Sequence, residues 1–320
     1  MENHQLRMII DCDAGHDDVE SIMVALSQPD VEVLAITCVS GTTNVDNVCR
    51  NVLRTLKICD REKIPVYKGC FTSLIGGSTT LESDHIHGFD GLGDIPQYVL
   101  PDMTLLSSEH AVNALVRLIN QHAGEIHLVA TGPLTNVAMA MRMDPGFTEK
   151  LKSLTVMGGN IYGRGNITLC GEFNFAMDPE AAYIVLNSCQ CLMTLLTSEI
   201  CEEHFLTFQW FEDRATIGTE KAKFVTDTAW KLKKYFEERF SPGKTCPYFS
   251  WDSLAMIATV RKESVLESGK YFATVELAGN VTRGQMVVDW SNKLGKYPNV
   301  NIVKKMDMKI VEEIMTHSVE

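Results

Sequence analysis

The chain is poor in several things at once. No dense block of Lys or Arg occurs, and 29 basic against 41 acidic residues leave a formal net charge of −12. A nucleic-acid partner is therefore not expected, because phosphate-backbone binding rests on clustered basic residues that displace counterions. No uncharged run reaches the roughly 18 residues that a membrane span requires. No apolar h-region follows the polar opening MENHQLR, so no export signal is read there either. Internal repeats, low-complexity tracts and Pro/Ser linkers are absent. Cysteine is not scarce, at ten residues, but most of it is scattered through apolar segments such as ITCVS and LKICD. These cysteines read as buried reduced thiols in a cytoplasmic protein. The pair in SCQCLM is spaced too tightly to suggest a zinc knuckle by itself.

What is there is ordinary globular composition, 45% hydrophobic and 22% charged over 320 residues. That suffices for a large core in one α/β domain spanning 1–320. RMIID reads as a strand, after which Val19, Ile22, Met23 and Leu26 recur at helical spacing. VEVLAITCVS is nearly continuous apolar sequence, as befits a strand buried on both faces. NVDNVCRNVLRTLKI is helical again, IPVYKG a strand, and SSEHAVNALVRLINQHAG an amphipathic helix with Ser at its start and Gly at its end. EIHLVAT, GPLTNVAMAMRMD and LKSLTVMGG continue the alternation. The rhythm predicts a mostly parallel, Rossmann-like central sheet with helices on both faces. YFATVEL, QMVVDW and NVNIVKKM read as additional C-terminal strands, antiparallel in part, before a short helix. Long connections at 70–105 and 159–178 are rich in Gly, Asn, Asp and His, and loops of that length usually carry function.

The segment DCDAGHDD sets Asp11, Asp13, Asp17 and Asp18 behind the first strand, around Gly15. Carboxylates this close repel one another unless water solvates them or a cation sits among them. Asp17 and Asp18 gain something from a helix start, where the dipole and capping favour acids. Asp11 and Asp13 follow a strand that reads as central, where solvated charge is not expected. Hard oxygen donors on a rigid turn suit calcium or magnesium better than zinc. An EF-hand is excluded, since its twelve-residue loop and closing Glu are missing. A phosphatase-type nucleophile also begins with two Asp after a first strand, but it lacks the paired Asp ahead of the helix. In open α/β sheets ligands gather at the carboxyl ends of the strands, where SGTTN, ATGPLTN and MGGN also fall.

DCDAGHDD resembles the N-terminal fingerprint of the nucleoside hydrolases of inosine-uridine preferring type, with Ala14 in place of the usual proline. HGFDGLGD (87–94), ATGPLTNVAMA (130–140), MGGN with GNIT (157–168), EFNFAMDPEAA (172–182) and WDSLA (251–255) follow in the family's order. The resemblance spans most of the chain. It implies a calcium ion held by Asp13, Asp18, Asp252 and the carbonyl of Thr131, with Asp13 also the general base. Asp17, Asn166, Glu172 and Asn174 would bind the ribose, with Glu172 and Asn174 on a short extended stretch. His87, with His85 nearby, would protonate the leaving base. The implied partner is a small nucleoside, and the implied assembly a homodimer or homotetramer.

The pattern breaks in two places. Gly41 is followed by Thr42, where most members have Asn near the sugar; a hydroxyl cannot offer both amide donor and acceptor. Asn44 is a candidate substitute, although it should lie on the following turn. Before Asp252 many members carry His; Trp251 stands here instead, as in the purine-specific branch, where an aromatic grips the base, although an indole in YFSWDSL suits core packing equally. The expected activity is calcium-dependent hydrolysis of ribonucleosides to free base and ribose, purine nucleosides favoured. A catalytically silent nucleoside- or ribosyl-binding relative is the alternative, and Thr42 keeps it open.

Overall fold

The computed structural model describes residues 5–76, 86–96, 99–191, 193–240 and 245–320. The first strand, Leu6–Cys12, pairs in parallel with Val31–Cys38 on one side and Ile126–Ala130 on the other. From Val31–Cys38 the sheet continues in parallel through Val66–Lys68 to Leu106–Ser107. From Ile126–Ala130 it continues through Ser153–Met157, Met193–Leu196 and Val300–Met306, again in parallel. Val265–Tyr271 closes that edge antiparallel, completing nine strands among the described residues. The expectation of a mostly parallel sheet with added C-terminal strands is met. One C-terminal strand extends the parallel sheet itself, while Ala273–Val275 and Met286–Val288 form a separate antiparallel pair.

Period-two alternation sorts the first strand between two cores. Met8, Ile10 and Cys12 face a cluster with the helices His16–Ser27, Val45–Ile58 and Trp251–Val260. Ile9 faces the other, with Ala111–Gln121, Thr135–Met143 and Pro179–Ser188. Both faces of the sheet are thus covered, as parallel strands require. Chain order reverses between Leu6–Cys12 and Ile126–Ala130, which makes their carboxyl ends the switch point where a crevice opens.

Several local readings are corrected. The helix expected to start at a serine is Ala111–Gln121, capped by His110, whose Nδ1 accepts the Val112 N–H at 3.3 Å. Ser107 instead ends the short edge strand. Glu172 and Asn174 do not lie on an extended stretch: Glu172 is the N-cap of a short helix, Phe173–Met177. Its carboxylate takes the Asn174, Phe175 and Gly159 amides, and those bonds outweigh the β-preference of the phenylalanines. Of the ten cysteines, Cys12, Cys38, Cys49 and Cys201 are buried; the other six are only half-buried, because they sit at helix ends and turns. No described helix is long and apolar enough to cross a membrane.

Candidate active site

The crevice holds a cavity of about 700 Å³ with two unlike halves. One wall is polar: Asp13, Asp17, Thr42, Thr131, Asn166, Glu172, Asn174 and Asp252. The other is aromatic: Phe205, Tyr235, Phe236, Phe240, Phe249 and Trp251, with Glu202 and Thr245 among them. No Lys or Arg lines it among the described residues.

Two helix starts aim carboxylates at the polar half. In the helix His16–Ser27, Asp18 sits at the third position, where Oδ2 accepts the Gly15 N–H at 2.9 Å and Oδ1 the Thr131 hydroxyl at 2.6 Å. Asp252 lies in the first turn of Trp251–Val260, which packs against that helix. Asp17, Asp18 and Asp252 each offer an oxygen, all within 4.8 Å of one another. Asp13 joins them from the strand end, in side-chain contact with Asp18. All four are nearly inaccessible, at 3%, 7%, 1% and 3% exposure for Asp13, Asp17, Asp18 and Asp252. Burial raises the pKa of each, to about 6 for Asp17 and well above the usual range for Asp18 and Asp252, where neighbouring carboxylates add to it. Asp13 is raised as well, by burial first.

Asp11 does not belong to this group. It points to the opposite face of the strand, where Oδ1 accepts from Thr37 Oγ1 at 2.5 Å and Asn136 Nδ2 at 2.8 Å. Burial lifts its pKa to about 7.

Most of the remaining candidates fall around the same cavity. Asn174 Nδ2 donates to the carbonyls of Thr131 and Met157, at 2.9 and 3.1 Å. Burial raises Glu172 to about 7 despite its three backbone donors. His87 Nδ1 accepts the His16 N–H at 3.3 Å, which leaves Nε2 to carry the hydrogen, 3.8 Å from Asp17 Oδ1. Trp251 is half-buried and stacks on Phe249, with ring centroids 5.4 Å apart. Asn44 is the exposed N-cap of Val45–Ile58, accepting from the Asn47 amide at 3.0 Å, and is not part of the cavity wall. His85 lies outside the described residues.

Two groups escaped the sequence reading. Apart from Trp251, the aromatic wall comes from 205–249, where FLTFQWF, YFEERF and PYFSW are dense in rings but carry no polar signature. Behind the acidic helix, His16 Nε2 meets Tyr248 Oη at 2.7 Å, and Tyr248 and Arg214 both bond Glu20. Spacings of over 190 residues hid that network.

The clustered donors are buried carboxylate oxygens, and no Lys or Arg lines the cavity among the described residues. Buried carboxylates of this density fit a hard divalent cation.

Known proteins resemble this chain along most of its length. The family profile described as "Inosine-uridine preferring nucleoside hydrolase" matches residues 8–313. The inosine-uridine preferring nucleoside hydrolase of Crithidia fasciculata is 30% identical over 304 residues, 95% of this chain and 94% of its own. The pyrimidine-specific ribonucleoside hydrolase RihA of Escherichia coli (strain K12) is 30% identical over 303 residues, covering 94% of each chain. A solved inosine-guanosine nucleoside hydrolase superposes with a TM-score of 0.88 at 30% identity, covering 98% of both chains.

Proposed function

The chain belongs to the inosine-uridine preferring nucleoside hydrolase family, and from that premise we propose a calcium-dependent ribohydrolase that favours purine nucleosides and accepts uridine. One observation carries the proposal: buried carboxylates, with no Lys or Arg among the described residues of the lining, share a single cavity with an aromatic wall. Ribose and a metal suit the first half, a planar base the second.

Asp13, Asp18, Asp252 and the Thr131 carbonyl are the proposed calcium ligands, with Asp17 beside them. Calcium, when bound, orients sugar hydroxyls and water and makes that water more acidic. Asp13 accepts the proton of the attacking water as the bond from C1′ to the base nitrogen breaks. Positive charge grows on the ribose in the transition state, and the surrounding carboxylates stabilise it. Asn174, its amide nitrogen spent on two carbonyls, presents Oδ1 to a ribose hydroxyl, with Glu172, Asn166, Asp17 and Thr42 as further sugar contacts. His87 Nε2–H is the proposed donor to the leaving base, and Trp251 the stacking surface. The proposal includes a cytoplasmic location, for which the reduced cysteines speak, and a homodimer or homotetramer, as the family resemblance implies.

The test is a reducing-sugar assay with purine and pyrimidine nucleosides, run with calcium and after chelation, beside melting shifts with the same ligands. Calcium-restored sugar release is expected. Melting shifts without sugar release under any condition would favour the silent binder instead.

A further inference from the structure

The cysteines divide by environment. Cys12, Cys38, Cys49 and Cys201 are buried, and burial pushes the Cys38 and Cys201 thiols well above their usual range, which leaves them unreactive. Cys189 and Cys191 differ from these. Both are half-buried, in the turn between the helix Pro179–Ser188 and the strand Met193–Leu196. Their sulfurs are 3.4 Å apart in hydrogen-bond contact. The start of the turn is held by the Cys189 amide on the Val185 carbonyl at 3.0 Å and the Gln190 amide on Thr148 Oγ1 at 3.1 Å. It lies at the amino end of Met193–Leu196, the opposite end of the sheet from the cavity.

We propose that Cys189 and Cys191 form a redox-reactive dithiol, a modification site that closes reversibly to an intramolecular disulfide in the presence of peroxide. Either sulfur can donate in this contact; it lowers the Cys189 thiol below its ordinary range against the opposing effect of burial, while Cys191 is raised. In this proposal Cys189 is the attacking thiolate. Its sulfur takes one peroxide oxygen, giving a sulfenic acid and releasing hydroxide. The Cys191 sulfur then attacks the sulfenic sulfur, forms the S–S bond and expels the second hydroxide. The two thiol protons neutralise those hydroxides, so two thiols and one hydrogen peroxide give one disulfide and two waters. A bridge across a single intervening residue closes a small ring, and strained, accessible disulfides are readily reduced by thiols. This site does not depend on the reading of the cavity.

The experiment exposes the whole chain to one equivalent of hydrogen peroxide, quenches in acid, alkylates remaining thiols and maps peptides by mass. A Cys189–Cys191 disulfide should form at least about tenfold faster than any oxidation at Cys12, Cys38 or Cys49, and dithiothreitol should reverse it. In Cys191→Ser, dimedone should trap a sulfenic acid at Cys189. As a second measurement on the unaltered chain, phenylarsine oxide at one equivalent should block both thiols of the pair together. The proposal is overturned if the pair stays alkylatable while other cysteines oxidise, or if the arsenical leaves both thiols open.

Discussion

The Thr42 amide donates to Asp13 Oδ2 at 2.6 Å, and Gly41 just before it leaves no room beside that oxygen. A Cβ on Gly41 would stand 2.1 Å from Asp13 Oδ2 and 2.8 Å from Pro133 Cδ. The main contribution of position 42 to Asp13 is thus a backbone N–H, which Thr supplies as well as Asn would. The departure from the family pattern leaves this backbone bond to Asp13 in place.

Gly41→Ala should accordingly be far more harmful than Thr42→Ala. Displacing Asp13 by about an ångström should lower kcat/KM roughly a hundredfold. Losing only the Thr42 hydroxyl, a hydrogen bond to a charged group, should cost about tenfold. Steady-state kinetics of the two variants on one nucleoside decide this; equal effects would place the role of the segment in the Thr42 side chain.

Asp13→Ala removes a proposed ligand and the proposed base together. General-base catalysis alone is worth about 10²–10⁴, so turnover should fall at least that far while circular dichroism shows a folded chain. Activity within a few-fold of the parent would remove Asp13 from the mechanism.

The metal should be calcium, bound stoichiometrically and detectable by elemental analysis. Chelation should lower the melting temperature, because Asp13, Asp18 and Asp252 lose the cation that offsets their burial. A ligand present at a hundred times its Kd stabilises by about 2.7 kcal/mol, so the shift should be several degrees and return with added calcium. Stoichiometric zinc without calcium would contradict the oxygen-donor reading.

How much of this was legible in the sequence follows from the range of each interaction. The acidic turn could be read because Asp13, Asp17 and Asp18 lie within six residues and local turn chemistry places them. The parallel sheet was legible through apolar runs separated by helical periods. Asp11 was grouped with the wrong partners: only strand pleat, paired with Asn136 across 125 residues, sends it to the other face. Apart from Trp251, the aromatic wall stayed hidden because a ring facing a ligand and a ring filling a core have the same composition. Glu172 carried a double role that spacing could not show, since its carboxylate both caps a helix and faces the cavity.

His127 should make stability fall on the acid side. Its ring is buried in the strand Ile126–Ala130, with Nδ1 2.6 Å from Ser153 Oγ. Burial, with Lys262 and Lys152 nearby, lowers its pKa from 6.5 to about 4. Above pH 6.5 both folded and unfolded forms are neutral, so the full stability is present. Between 6.5 and about 4 the unfolded chain takes up the proton first, and stability drops by at most about 1.4 kcal/mol per pH unit from this group. Urea melts across that range should show a shallower decline for His127→Gln; an unchanged slope would assign the acid limb to other groups.

Trp251 has two jobs that separate substitutions can tell apart. Its ring packs against the helical core and stacks on Phe249 with planes 28° apart, yet it also lines the cavity. Trp251→Ala should therefore lower stability, though by less than the roughly 3–5 kcal/mol of a fully buried Trp. If the exposed part of the indole grips the base, the same change should lower purine turnover more than uridine turnover, because a bicyclic base overlaps the indole more fully. Aromatic pairs are worth about 0.5–1.5 kcal/mol beyond area burial, which corresponds to a loss of roughly threefold to tenfold in the purine-to-uridine ratio. Trp251→Phe keeps a ring against Phe249 and should recover most of the stability while restoring only part of the ratio. Melting temperature and the kcat/KM ratio of inosine to uridine, measured on both variants, separate packing from base contact. A destabilised Trp251→Ala with an unchanged ratio would leave Trp251 as a packing residue and move base recognition to the rest of the aromatic wall.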